Sequence, residues 1–229
     1  MKSKKWFSLK LGALVLAAAL PATEALAQTK GGTLNMIVQP EPPVIVTAIN
    51  QQGPTQFVAG KIYESLLTYT TDLKPQPGLA KSWEAAADGL TYTFHLQDNV
   101  KWHDGKPFTS EDVVFSLADM LPKTHARARV ILNKFVESVQ APDAKTVVIK
   151  LKTPFPAFML MFEPGFAPMM PKHLYAGTDY MTNPANQKPV GTGPFMFKEW
   201  KRGEYIKLTR NPEYLSLIHI SEPTRPERI

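Results

Sequence analysis

The 229-residue sequence contains no cysteine, which excludes disulfide bonds and thiolate chemistry. It also has little clustered positive charge. The formal net charge of +6 owes much to the first ten residues, which contain four lysines. Beyond residue 27 the basic and acidic side chains alternate, whereas nucleic-acid binding needs a basic face. We therefore expect no nucleic-acid partner.

Motifs for catalysis or metal binding are also missing. No serine lies in a G-x-S-x-G elbow, and Gly191–Phe195 (GTGPF) lacks the Lys-Ser/Thr ending of a phosphate loop. We interpret its glycines as a tight crossover, and His103–Asp104 before Gly105 as a turn. The other internal histidines, His95, His125 and His173, lack metal-ligand spacing. The sequence thus predicts no catalytic residue, no metal site and no cofactor.

The composition is that of a soluble globular protein, with 44% hydrophobic and 20% charged residues. The length allows one large domain or two small ones. Its 21 prolines are spread along the chain, which favours ordered loops over a proline-rich linker.

The N-terminus has the three-part layout of a secretory signal peptide. A basic segment is followed by the apolar run LGALVLAAAL, then by Pro21 and by the small residues Ala25 and Ala27. The run is too short to span a bilayer, although an uncleaved anchor is the alternative. We predict a signal peptide over residues 1–27, cleavage after Ala27, and a periplasmic location.

The remaining pattern mixes strands and helices. We predict a buried strand over Thr33–Val38, a loop at 39–43 (QPEPP), and a helix that begins at Pro54. Alternating stretches around turns predict three hairpins, at Asp88–Gly89, at residues 141–145 and at Lys201–Gly203. A helix is expected after Thr109, with Asp112 in a near-match to a capping box, and two short helical pieces within residues 154–177. The fold class is α+β, or mixed α/β with antiparallel elements.

Four blocks resemble one protein family, in the order that the family has them. They are YESLLTY (63–69), the long run GLAKSWEAAADGLTYTFHLQDNVKWHDGKPFTSEDVVFSL (78–117), TPFPAF (153–158) and GTGPFMFKEWKRGEYIKLTRNPEY (191–214). Together they resemble the family 5 extracellular solute-binding proteins, the dipeptide, oligopeptide and nickel-type receptors of ABC importers. The resemblance covers about Gly31 to Tyr214.

The resemblance implies an incomplete periplasmic binding protein-like fold, whose complete form closes on a solute between two lobes. It divides the chain into a main-domain segment at 28–60, an inserted α+β subdomain at 61–188 and a returning main-domain segment at 189–214. The second lobe is expected to be missing. The expected partners are a small, peptide-like solute and the permease subunits of the transporter, with the receptor as a monomer. The alternatives are an inert truncated fragment and a secreted enzyme.

The resemblance also places candidate ligand contacts at the cleft between the lobes. The loop 39–43 leaves the first predicted strand there, and the candidates are Glu41, Pro42, Pro43, Gln51, Gln52 and Phe166. The alternative for Glu41 is a solvated surface acid. For the glutamines and for Phe166–Met170 it is core packing or an ordinary loop.

The last 15 residues do not continue the family pattern. Leu215–Arg225, LSLIHISEPTR, resembles the translation of a common transposase sequencing adapter, with every codon agreeing in one frame. We therefore predict that residues 215–229 are library sequence and not part of the natural protein. The alternative is a tail that is weakly stranded or disordered.

Overall fold

The computed structural model of the protein describes residues 32–214. The predicted signal peptide and the predicted tail lie outside the described residues. The chain divides into two units, Met1–Ile37 and Val38–Ile229. In the first, residues 32–37 have no regular secondary structure, and Leu34 and Ile37 are 82% and 90% exposed. The prediction of a buried strand over Thr33–Val38 is wrong. Among the described residues no strand pairs with this stretch, and an apolar run becomes a strand only when a neighbour takes its backbone hydrogen bonds.

The second unit begins with a loop that leads to helix α1, Gly53–Ala59, which has Pro54 in its first turn as predicted. In the sequence, apolar residues with helical spacing continue from Phe57 to Leu67, but α1 ends at Ala59 with Gly60 as its C-cap. A side chain at Gly60 would lie 2.7 Å from the Gln56 carbonyl oxygen. Ile62, Leu66 and Leu67 are nevertheless fully buried. The apolar spacing therefore predicted burial correctly and helix length wrongly.

Two antiparallel sheets follow in the chain. Strands β1, Leu67–Tyr69, and β2, Pro75–Pro77, form a small pair. Strands β3, Ala80–Ala85, β4, Thr91–Leu96, β5, Val136–Asp143, and β6, Thr146–Leu151, form a four-stranded sheet in the order β3-β4-β6-β5. This confirms the first two predicted hairpins. Phe94 on the central strand lies opposite Trp83 and Val147. Burial alternates along β4, as expected for a sheet with one face on the core.

Helices connect β4 to β5. They are α2, Ser110–Val114, one π-helical stretch, Phe115–Met120, then α3, Leu121–Thr124, and α4, Ala128–Phe135. The predicted start of α2 is confirmed: the Thr109 backbone N–H donates to Asp112 Oδ2 at 3.0 Å. Asp112 Oδ1 also accepts from the Lys172 backbone N–H at 3.0 Å, so this carboxylate joins two parts of the chain.

The segment after β6 covers the core. A 3₁₀ helix, Phe158–Phe162, packs on the sheet, with the rings of Phe158 and Phe162 4.9 and 4.8 Å from those of Tyr92 and Phe94. Short helices follow at α5, Lys172–Tyr175, and at a 3₁₀ turn, Pro184–Gln187. The 3₁₀ helix Phe158–Phe162 and α5 are the two helical pieces expected within residues 154–177.

The third predicted hairpin is also confirmed, with β7, Phe195–Lys201, and β8, Tyr205–Arg210. Before it, the glycines of GTGPF lie directly on the backbone after α1. A Cβ at Gly191 would lie 1.9 Å from the Ile62 carbonyl oxygen, and one at Gly193 would lie 2.7 Å from it. The fold is therefore mixed α+β. Within residues 32–214 no helix is both long and apolar enough to cross a bilayer.

Candidate functional site

The candidate ligand contacts fall into two groups. Glu41, Pro42 and Pro43 contact the β7–β8 turn, and we call these residues with Trp200, Arg202 and Gly203 the Glu41 corner. Gln51 and Phe166 meet the turn between α3 and α4, and we call them with His125, Arg127 and Gly165 the Arg127 corner. Gln52 belongs to neither group, and no motif in the sequence predicts this separation.

The Glu41 carboxylate is bound to the hairpin by both oxygens. Oε1 accepts from the Trp200 indole N–H at 2.7 Å, and Oε2 accepts from the Gly203 backbone N–H at 3.0 Å. Both partners are about 160 residues away in the sequence, so this acid closes a long-range contact. Glu41 is exposed, and each of its carboxylate oxygens accepts one hydrogen bond from the chain. Its role as a ligand contact stays a prediction.

Arg202 completes the Glu41 corner from the other side. Its guanidinium lies 3.4 Å from the centre of the Trp200 ring and donates to the carbonyl oxygens of Pro42 and Pro43 at 3.4 and 3.2 Å. It also donates to Gln187 Oε1 at 3.2 Å. The proline loop is therefore held by an arginine stacked on an indole, a pairing favoured by the negative face of the ring. Pro42 is buried and Pro43 is exposed.

Gln51 joins α1 to the turn before α4. Its side-chain N–H donates to the Thr47 carbonyl at 2.8 Å, and its Oε1 accepts from the Ala126 backbone N–H at 3.3 Å. The Gln56 side chain in turn donates to the Gln51 carbonyl at 2.6 Å. The NH₂ group of the Gln51 amide thus holds the side chain in place, and its oxygen binds Ala126. Gln52 differs because its side chain is exposed. Its backbone N–H donates to Asn50 Oδ1 at 3.0 Å.

Phe166 lies next to two side chains of the same turn. The His125 imidazole stacks on it at 5.9 Å with an angle of 28° between the planes, and the Arg127 guanidinium carbon lies 4.9 Å from its ring centre. Arg127 also donates to the Gly165 carbonyl at 3.4 Å. Phe166 is half-buried and Arg127 is exposed, so one face of this cluster is open to solvent.

His125 is fully buried and is uncharged at neutral pH. Burial lowers its pKa to about 4, which the nearby Gly165 carbonyl only partly offsets. Nδ1 accepts from the Ala128 backbone N–H at 3.0 Å, which places the ring proton on Nε2. Among the described residues Nε2 has no partner within strict hydrogen-bond geometry, although the Gly165 carbonyl lies near enough to raise the pKa of the ring slightly. This buried donor beside Phe166 therefore has at most a weak acceptor in the described chain.

His103 binds the backbone of the crossover before β7. Its Nδ1 accepts from the Gly191 backbone N–H at 3.2 Å, and its Nε2 bonds the Gly193 carbonyl at 2.9 Å. Burial lowers the pKa of His103, which keeps the ring in the neutral form that can make both bonds. Asp104 pairs with His173 at 2.6 Å, and Gly105 has a φ of 85°, as the predicted turn requires.

Outside the two corners we looked for a metal site or a ligand cavity in the described chain. In residues 32–214 no group of three or more His, Asp or Glu side chains is placed to hold a metal ion. A shallow cavity of about 180 Å³ lies beside His103 and Asn211, but the Lys101–Glu213 ion pair of 3.0 Å lies at its wall. None of the candidate ligand contacts lines it.

Sequence reasoning missed Arg127, Trp200 and Arg202. No local motif marks them, because each matters through a partner far along the chain: Arg127 through Phe166, and the other two through the proline loop. A turn sequence such as Lys-Arg-Gly predicts the hairpin and says nothing of which distant loop the arginine will hold.

Comparison with known proteins agrees with this architecture. The model of the bacterial extracellular solute-binding proteins, family 5 Middle, matches residues 74–226, a span that runs past Tyr214 into the predicted library sequence. The oligopeptide-binding protein AppA of Bacillus subtilis is 32% identical over 189 residues, which is 81% of this chain and 35% of AppA.

Solved structures give the same result. NikZ from Campylobacter jejuni, in complex with Ni(L-His), has a TM-score of 0.69 and 33% identity over 78% of this chain and 35% of its own. AppA from Bacillus subtilis in complex with a nonapeptide has a TM-score of 0.68 and 30% identity over 76% of this chain and 35% of its own. The chain spans about a third of the length of these relatives, and it belongs to the family 5 bacterial extracellular solute-binding proteins.

Proposed function

We propose that the chain forms one wall of the solute-binding cleft of an ABC importer's receptor. The receptor would take up a small, peptide-like solute outside the inner membrane and deliver it to the permease subunits. The observation that supports this most directly is the likeness of the described fold to AppA, whose solved structure holds a nonapeptide. Fold alone does not fix the ligand, so the peptide-like class rests on these relatives.

The geometry supports a binding role for the Arg127 corner. Of the candidate ligand contacts, Phe166 lies beside an exposed cation and a buried donor, and Gln52 is exposed nearby at the start of α1. The Glu41 corner is instead occupied by its own hydrogen bonds. We therefore assign the solute contact to the Arg127 corner and a supporting role to Glu41, Pro42 and Pro43.

Export and assembly belong to the same proposal. The family is extracellular, and we propose that residues 1–27 direct the chain to the periplasm, where it acts as a monomer. We also propose that it is not an enzyme, since the relatives are transport binding proteins. A secreted peptidase would shorten the peptides that it binds, whereas a receptor would release them unchanged.

Ligand-dependent stabilisation of the 229-residue chain tests the proposal. The chain is mixed with a randomised tripeptide pool in large excess, and its melting temperature is followed by fluorimetry. Binding at about 100 times Kd adds about 2.7 kcal/mol, which raises the melting temperature of a chain of this size by about 5 °C or more. A maltotriose sample is the control, and mass spectrometry of the recovered peptides checks for cleavage.

The other outcomes identify the alternatives. An unchanged melting temperature with every peptide concentration contradicts the proposal and favours the inert truncated fragment. Shortened peptides contradict it in favour of a secreted enzyme.

A further inference from the structure

We propose that His103 is an acid-sensitive latch, which holds the crossover Gly191–Phe195 while its imidazole is neutral and releases Gly191 when the imidazole is protonated. This inference goes beyond the proposed function, because it concerns how the fold responds to pH and holds for any solute. Three features support it: hydrogen bonds that only the neutral ring can make, a position at the base of a hairpin, and access of the ring to solvent.

The hydrogen bonds of His103 specify one protonation state and one tautomer. Nδ1 accepts from the Gly191 backbone N–H at 3.2 Å, so it carries no proton. Nε2 lies 2.9 Å from the Gly193 carbonyl oxygen, which can only accept, so Nε2 carries the proton. A proton added to Nδ1 points at the Gly191 N–H, and two donors then face each other. Protonation therefore breaks the bond to Gly191 and keeps the bond to Gly193.

The crossover is held from two sides, which respond differently to acid. On the side of α1, the Gly193 N–H donates to the Ile62 carbonyl oxygen at 2.9 Å, and this backbone bond has no ionisable partner. On the other side Gly191 is bound by His103 alone: its carbonyl oxygen accepts from the His103 backbone N–H at 2.8 Å, and its N–H donates to the ring. Acid therefore acts on Gly191 and leaves the Gly193 N–H bonded.

The latch lies at the base of the β7–β8 hairpin. Strand β7 begins at Phe195, the last residue of the crossover. Asn211, directly after β8, donates from its backbone N–H to the Pro194 carbonyl oxygen at 2.8 Å, and its Nδ2 donates to the Gly193 carbonyl oxygen at 3.2 Å. That oxygen is the one that His103 Nε2 binds. Protonation of His103 thus acts at the point where both strands of the hairpin are attached.

The ring can take up a proton without unfolding of the whole chain. His103 is half-buried and lines the shallow cavity beside Asn211. Burial disfavours the charged ring and lowers the pKa of His103 below its ordinary value of 6.5. The latch is therefore closed at neutral pH and opens as the pH falls.

The charged groups that face His103 are matched with opposite charges. Asp104, the next residue, raises the pKa of His103 by less than burial lowers it, and it pairs with His173 at 2.6 Å. Lys101 and Glu213 line the same cavity and pair with each other at 3.0 Å. Neither pair supplies an unbalanced negative charge that holds the ring in its charged form at neutral pH.

Glu64 is an ionisable group on the α1 side of the crossover, and its titration has the opposite sign. Its Oε1 accepts from the Tyr214 hydroxyl at 2.9 Å. Burial raises the pKa of Glu64, so the stability that it contributes is present in acid and is lost as the pH rises through its folded-state pKa. An opening that is favoured by acid therefore cannot arise from Glu64.

The experiment measures local opening by backbone amide hydrogen exchange of the ¹⁵N-labelled 229-residue chain between pH 7.5 and 5, with each rate corrected for the intrinsic rate at that pH. The Gly191 N–H reports on the latch, and the Gly193 N–H is the internal control. An opening that takes up one proton is favoured by up to about tenfold for each pH unit below 6.5. We expect protection of Gly191 to fall accordingly, in step with the titration of the His103 ring, while protection of Gly193 stays nearly constant.

Two variants assign the titrating group. His103→Gln has a donor and an acceptor but does not titrate, so we expect the protection of Gly191 to become independent of pH. The matched control is His173→Gln, which removes the neighbouring imidazole and is expected to keep the dependence. Circular dichroism checks that both variants fold. Should His103→Gln unfold, the unchanged chain decides, because the midpoint of the Gly191 change must coincide with that of the His103 ring.

Protection of Gly191 that stays constant with pH overturns the latch. An equal loss at Gly191 and Gly193 also overturns it, because the chain then opens as a larger unit. A dependence that survives in His103→Gln, or that disappears in His173→Gln, assigns the titration to another group and has the same consequence. A midpoint that differs from that of the His103 ring counts against the latch as well.

Discussion

The Glu41 corner and the Arg127 corner both contain exposed polar residues, yet they differ in how many of their hydrogen-bond donors and acceptors have partners within the chain. At the Glu41 corner the carboxylate accepts two hydrogen bonds and Arg202 donates to three oxygen atoms. At the Arg127 corner, within residues 32–214, the buried His125 Nε2 has no partner in strict hydrogen-bond geometry and Arg127 makes a single long hydrogen bond. Exposure of a polar residue therefore does not by itself make it a ligand contact. The count of unsatisfied groups separates the two corners.

The largest expected effect comes from breaking the backbone contact between the crossover before β7 and the residues after α1. The crossover before β7 lies on Ile62, just after α1, and a Cβ at Gly191 would lie 1.9 Å from the Ile62 carbonyl oxygen. We expect Gly191→Ala to lower the free energy of unfolding by about 3 kcal/mol or more, because backbone must move to accept it. Urea denaturation measures this.

Gly53→Ala is the matched control, since a Cβ there meets no atom within 4 Å. Its effect is expected to stay under about 1 kcal/mol. Equal losses in the two variants would contradict the role given to the crossover.

A smaller effect is expected from acid, acting on the Arg127 corner. The folded-state pKa of His125 is about 4, below its ordinary value of 6.5, so the folded state favours the neutral ring. The stability that this ring contributes is fully present above pH 6.5 and is lost as the pH falls towards 4. His103 has a lowered pKa for the same reason and adds a loss of the same sign.

The test compares the pH dependence of unfolding in the unchanged chain and in His125→Gln. The variant is expected to lose less stability than the unchanged chain between pH 6.5 and 4. His95→Gln is the control, because His95 lies on the sheet, away from the turn that contains His125. Identical pH profiles for the unchanged chain and His125→Gln would show that the buried imidazole is not responsible.

Much of the fold could be predicted from the sequence because its information is local. The Asp88–Gly89 turn, the Thr109–Asp112 helix start and the alternation along β4 each depend on residues only a few positions apart in the sequence. The strand expected at Thr33–Val38 failed because a strand depends on a partner that the residues themselves do not specify.

The same distinction applies to the candidate site. The loop at 39–43, Gln51 and Phe166 could be chosen as candidates from the sequence. Their contacts could not, because Glu41 and Gln51 each bind a residue 75 or more positions away and no motif encodes the contacts of Phe166. The contact of Glu41 with the β7–β8 turn could not be predicted, because Trp200 and Gly203 are far from it in the sequence. Satisfaction of hydrogen bonds is a property of the folded chain.

A third prediction concerns Glu41 itself. Glu41→Gln keeps the shape of the side chain but removes its charge. The amide has one oxygen and one NH₂ group, so it can accept only one of the two hydrogen bonds that the carboxylate accepts. We expect a loss of about 1 kcal/mol of unfolding free energy, discounted for exposure, with no change in peptide affinity. Glu204→Gln on the same hairpin is the control. A large loss of affinity in Glu41→Gln would move the solute contact to this corner.

The smallest expected effect on stability is that of Arg127→Gln, which we expect to change the free energy of unfolding by no more than about 0.5 kcal/mol. Its side chain is exposed and makes one long hydrogen bond. Chemical denaturation beside Arg129→Gln measures this difference. A loss comparable to that of Gly191→Ala would mean that Arg127 is structural.

The end of the chain is open to a direct check. We expect resequencing of the locus with a different library method to replace the codons for residues 215–229 with a sequence that continues the family pattern after Tyr214. Recovery of the same 15 codons from genomic DNA would refute the library origin of the tail.

The most direct test of the difference between the two corners is a single NMR titration of the ¹⁵N-labelled 229-residue chain with the randomised tripeptide pool. The Arg127 side-chain N–H and the Trp200 indole N–H report on the two corners separately. We predict that the Arg127 signal moves in a saturable way while the indole signal of Trp200 stays in place. Movement of the Trp200 signal with an unchanged Arg127 signal would contradict the assignment of the solute contact to the Arg127 corner.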